Sequence, residues 1–158
     1  MTTITSATQN PTMLERVRTT EPLRHLLPLR IVAAAPLLGI GLAHVLAPEA
    51  PMRPLVEAAG FPVPGVLAPL AVTAELVAGT LLMLGLWARI GAALAIPTML
   101  GAVYTHLVVD IWPNVDAEEP PIALPVVVLL IASYVLWRGA GRWSLDARQA
   151  RATRKPGT

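Results

Sequence analysis

Cysteine is absent from this 158-residue chain. Its absence excludes disulfides, thiol redox chemistry, cysteine-ligated metal clusters and covalent c-type haem attachment. Charge is scarce too: Asp, Glu, Lys and Arg make up 14% of the residues, against about 25% in a soluble domain. No glycine-rich phosphate loop, HExxH helix or nucleophile elbow occurs. What remains is apolar, with 54% hydrophobic residues and a mean hydropathy of +0.61. Such a composition is that of a membrane protein, and the length suits a single domain.

The apolar residues fall into four runs, at about 26–47, 65–88, 90–109 and 121–137. A helix crossing a bilayer needs about 20 residues at ~1.5 Å rise each. The reading is therefore an all-α fold, an integral membrane bundle of four transmembrane helices. Runs two and three are separated only by the turn at Trp87-Ala88-Arg89 and should form a tight antiparallel hairpin. Residues 1–23 are polar and read as a mobile N-terminal tail. A cleaved signal peptide is disfavoured because Pro48 and Pro51 follow the first run. Residues 48–64 carry five prolines and form a loop, with a short amphipathic turn near Leu55–Ala59. Residues 110–120 form a solvated acidic loop. Residues 139–158 are a basic tail, with Ser144 as a candidate helix cap, expected to lie on anionic headgroups.

Four spans put both ends of the chain on one side. Arg16, Arg18, Arg24, Arg30, Arg89 and the C-terminal arginines with Lys155 all fall there, and Arg53 alone falls opposite. Positive charge stays inside, so both termini are expected in the cytoplasm. Trp87, Trp137 and Trp143 mark the inner interface and Trp112 the outer one. Pro36, Pro97 and Pro125 should each kink a span. Rows of small residues at four-residue spacing, Ala35-Gly39-Ala43 and Ala71-Glu75-Gly79, read as helix packing within the bundle.

Few polar groups lie inside the spans. Glu75 is the foremost: an ionisable group at the bilayer centre costs roughly 2.5–3.5 kcal/mol and marks a functional site by default. Its helix neighbours Ala71, Ala74, Ala78 and Gly79 are small, so its face should point inward. It could bond Thr73, Thr98 or a proline-freed carbonyl, or it could contact a ligand or a proton. His44 and His106 each lie about three residues inside the outer end of a span, placing them at one level, with Glu75 ~10 Å deeper. Tyr104 is a further polar contact at that end. His44, His106 and Asp110 make only a weak metal-ligand pattern, so no metal site is expected.

Taken in order, Arg30, Gly41 and His44, then Ala59-Gly60-Phe61-Pro62-Val63-Pro64, Ala74-Glu75 with Ala78-Gly79, Leu84-Gly85-Leu86-Trp87-Ala88-Arg89, and Met99, Ala102 and His106 form a pattern that resembles the DoxX family of small bacterial membrane proteins. Relatives of that family include the DoxD subunit of thiosulfate:quinone oxidoreductase and MauE. The resemblance runs from about Leu29 to His106, and the fourth span agrees only in hydrophobicity. It implies an inner-membrane four-helix bundle linked to quinone or redox-stress functions, with Glu75, His44 and His106 at the family's polar positions.

The function expected from these residues is that of an accessory subunit of a membrane redox system. It would bind a quinone or similar lipophile in the outer half of the bundle, with Glu75, His44 and His106 as contacts. The chain carries no redox group of its own, so a soluble or membrane partner would deliver electrons. A non-enzymatic scaffold or lipid-binding protein is the alternative. A proton-coupled transporter is less favoured, for want of an inverted repeat. The bilayer is an expected partner, a homo-oligomer is left open, and nucleic acid is not expected.

Overall fold

The computed structural model describes residues 21–46, 52–109 and 121–153. The N-terminal tail before Glu21, residues 47–51, the whole acidic loop with Asp110 and Trp112, and the residues after Thr153 lie outside these described residues. Among those described, every regular element is a helix: α1 (Leu26–Leu46), α2 (Met52–Ala58), α3 (Pro64–Leu84), α4 (Ala88–Val108), α5 (Ala123–Arg138) and α6 (Leu145–Thr153). The protein is a helical membrane bundle. The helices α1, α3 and α4 are 21 residues each, or ~30 Å at the α-helical rise, enough to cross the hydrocarbon. The fourth apolar helix, α5, is shorter at 16 residues.

Local chemistry sets the boundaries. Helix α3 opens with Pro64 in its first turn, where no amide donor is required. It closes at Gly85, whose left-handed φ of 62° allows a Schellman cap. There the Gly85 amide donates to the Leu82 carbonyl and the Leu86 amide to that of Leu81, each at 3.2 Å. The hairpin turn therefore falls at Gly85-Leu86-Trp87, two residues before the expected Trp87-Ala88-Arg89, because Gly85 ends α3 and Ala88 and Arg89 already belong to α4. Pro125 differs from expectation. It lies in the first turn of α5, where a missing amide costs no helical hydrogen bond and no kink is required. The amphipathic turn after the first span becomes α2, with Val56 buried and an Arg53–Glu57 ion pair at 2.8 Å on its exposed side.

Helix α1 packs on α3, α3 on α4, α4 on α5, and α5 returns to α1. The core is built mostly from small side chains, with Ala33, Ala34, Ala78, Ala92, Ala95 and Ala132 fully buried among Leu37, Leu82, Val128 and Val135. In lipid, where no hydrophobic force separates core from surroundings, close backbone approach is what holds helices together. A Cβ on Gly79 would lie 2.8 Å from Leu38 Cγ of α1, and one on Gly91 would lie 2.8 Å from Leu81 Cβ of α3. The row Ala35-Gly39-Ala43 takes no part in this. All three are exposed, and nothing lies within 4 Å of a Cβ built on Gly39. The inward face of α1 is instead Ala33, Ala34, Leu37 and Gly41.

Candidate functional site

Glu75 projects from the middle of α3 into the bundle and is 4% exposed. Its helix presents Ala68, Ala78, Gly79 and Leu82 to the same interior. Opposite lies Gly41 of α1, where an added Cβ would sit 3.5 Å from Glu75 Cβ. One carboxyl oxygen, Oε2, is shut off from solvent and has no hydrogen-bond partner among the described residues. The two threonines expected nearby donate to their own helices. Thr73 bonds the Pro69 carbonyl at 2.7 Å from an exposed position, and Thr98 bonds the Ala95 carbonyl at 2.9 Å. On the opposite, outward side of α3 from Glu75, a shallow apolar groove of about 240 Å³ is lined by Leu76, Val77, Thr80 and Leu81.

The histidines separate in depth. Since Gly41 faces Glu75, His44 lies only three residues farther out, ~5 Å by helical rise. On α4, Gly91 lies against Leu81. Counting outward from that contact brings Pro97 to the level of Glu75, and His106 ~13 Å beyond it. His44 therefore comes closer to the acid than the loop count indicated, and His106 stands nearer the outer rim. Both are half-buried. The His106 Nδ1 lies 2.7 Å from the Ala102 carbonyl of its own helix. Tyr104 is exposed and packs edge-on against Phe61, with ring centroids 5.3 Å apart.

The opposite end of the bundle holds a second polar centre. Arg30, expected to be a surface cation, is 1% exposed. Its Nη2 donates to the Trp143 carbonyl at 2.9 Å, while Nε and Nη1 are buried without partners among the described residues. Its guanidinium fills the space over Gly85 where a Cβ would stand. The counter-charge is Asp146 of α6, near enough to act on Arg30 electrostatically. Both Asp146 carboxylate oxygens accept backbone amides that open α4, from Trp87 at 2.9 Å and Ala88 at 3.1 Å. The Asp146 amide in turn donates to the Gly85 carbonyl at 3.0 Å. Trp87 has a left-handed φ of 46° and no side-chain cap of its own, so the cap comes from 59 residues away. Ser144 caps α6 by accepting from the Ala147 amide at 3.1 Å, as its position before that helix suggests.

The DoxX family profile matches residues 25–107. The chain belongs to the DoxX family. This DoxX chain is also 30% identical over 131 residues to the uncharacterized membrane protein Rv3486 of Mycobacterium tuberculosis, covering 76% of this chain and 78% of the relative. No solved structure matches it. The family match takes in Glu75, His44, His106, Arg30 and the Gly85–Ala88 turn. It stops short of α5 and α6, so the acid that caps α4 lies beyond the shared segment.

Proposed function

We propose that this DoxX protein is an accessory subunit of a membrane redox system and holds a quinone or similar lipophile against Glu75. The observation that carries this reading is the Glu75 carboxyl, buried in mid-bundle with Oε2 unpartnered. An unsatisfied buried polar atom costs on the order of 1–3 kcal/mol. A ligand carbonyl or hydroxyl placed there relieves that cost. His44, ~5 Å farther out by helical rise, is placed to pass a proton toward the outer end. A partner protein supplies the electrons, because the chain has no cysteine and no other redox-active motif. The arginine distribution supports an orientation with both termini in the cytoplasm.

The test is to purify the full chain in mild detergent and quantify quinones in an organic extract by mass spectrometry. Wild type should retain a stoichiometric quinone. Glu75→Gln should lose most of it while remaining folded, and Glu75→Leu should lose it entirely. The scaffold reading has its own support. Only 28% to 33% of the three long helices is buried within the chain, leaving a wide apolar surface for lipid or other membrane proteins. An extract free of quinone, with Glu75→Gln indistinguishable from wild type, would favour the scaffold.

A further inference from the structure

From residue 139 onward the chain contains one acid, Asp146, among Arg142, Arg148, Arg151, Arg154 and Lys155. The fold withdraws that acid. Asp146 is 1% exposed and both its oxygens receive amides from the α3–α4 turn. Ala147 is buried beside it, while Arg142 and Arg148 are exposed, as is Arg151, whose Nη2 reaches back to the Arg142 carbonyl at 3.0 Å. The segment is also tied down just before this contact. Arg30 holds the Trp143 carbonyl, and the Arg142 amide donates to the Leu23 carbonyl at 3.3 Å. What faces outward is thus a positive surface with its negative charge removed. It stands where Trp87, Trp137 and Trp143 are exposed, the ring expected at the headgroup level.

We propose that Arg142, Arg148 and Arg151, held in place by the buried Asp146, form a docking surface for an anionic phospholipid headgroup of the surrounding membrane. Charge complementarity selects this occupant. The surface is basic, it adjoins the tryptophan ring, and anionic lipids are drawn to basic clusters at that depth. A mobile basic tail would sample the leaflet loosely. This one is pre-ordered, so little side-chain and backbone freedom remains to be lost on binding.

The experiment uses the full chain purified in detergent, offered equal phosphatidylglycerol and phosphatidylcholine, with bound lipids counted by native mass spectrometry. Wild type should retain phosphatidylglycerol preferentially, by roughly fivefold for each arginine engaged. The combined variant Arg142→Gln, Arg148→Gln, Arg151→Gln should bring the two lipids to parity. Arg53→Gln, at the other end of the bundle, should leave the preference intact. A triple variant that keeps the wild-type preference, or an Arg53→Gln variant that loses as much, overturns the proposal. Should the triple variant fail to fold, the salt dependence of wild type decides. A preference that falls as ionic strength rises supports the surface, and one indifferent to salt overturns it. Quinone retention at Glu75 is read separately from the same spectra.

Discussion

Two glycines on this chain should respond in opposite ways to the same methyl group. Gly85 has a φ of 62° and lies directly under the Arg30 guanidinium. Alanine there meets a left-handed backbone cost of about 1–2 kcal/mol and also displaces a buried charge. Gly85→Ala should lower the thermal midpoint in detergent, and a midpoint equal to wild type would contradict this account of the turn. Gly39 sits within α1 with nothing near its missing Cβ. Gly39→Ala should be neutral or stabilise by about 0.5–1 kcal/mol through backbone entropy. At this scale the sequence was informative about Glu75, because one acid in an apolar run has few explanations, and burial met the expectation. It was uninformative about Arg30. An arginine near the end of a span reads as a surface charge, and the acid that acts on it electrostatically is 116 positions away. The outward turn of Ala35, Gly39 and Ala43 was equally hidden, since core and lipid are alike in polarity and periodicity cannot tell them apart.

The helices differ in what completes them. Helix α3 is finished by its own glycine, whereas α4 begins on a tryptophan with no local cap and depends on α6. Charge-assisted hydrogen bonds are worth about 1.5–3 kcal/mol each. Asp146→Asn retains one acceptor oxygen but loses the charge facing Arg30, so it should destabilise the protein by about that amount. The loss should appear as faster hydrogen exchange at the Trp87 and Ala88 amides before it appears elsewhere. Arg30→Met in the Asp146→Asn background should recover part of the stability, because the buried cation then no longer lacks its counter-charge. The elements themselves were legible. Apolar run lengths located α1, α3, α4 and α5 to within a few residues. Helix α6 was foreshadowed only by its serine cap, as its partners are distant in sequence.

Across the whole molecule, two polar centres stand at different depths: Glu75 in mid-bundle, and Arg30 with Asp146 at the end carrying both described chain ends. A periplasmic phosphatase reporter should be inactive when fused after Lys155 and active when placed after Arg53, and activity after Lys155 would reverse the proposed orientation. The Asp146 cap also orders events in time. Synthesis runs from the N-terminus, so the hairpin of α3 and α4 enters the bilayer while the residue that caps it is still unmade. Until Asp146 emerges from the ribosome, Arg30 lacks its nearby counter-charge and two backbone amides at the start of α4 lack acceptors. The last of the described helices is therefore the one that caps the start of α4. A nascent chain halted just before Asp146 would have its four apolar helices and an uncapped start to α4.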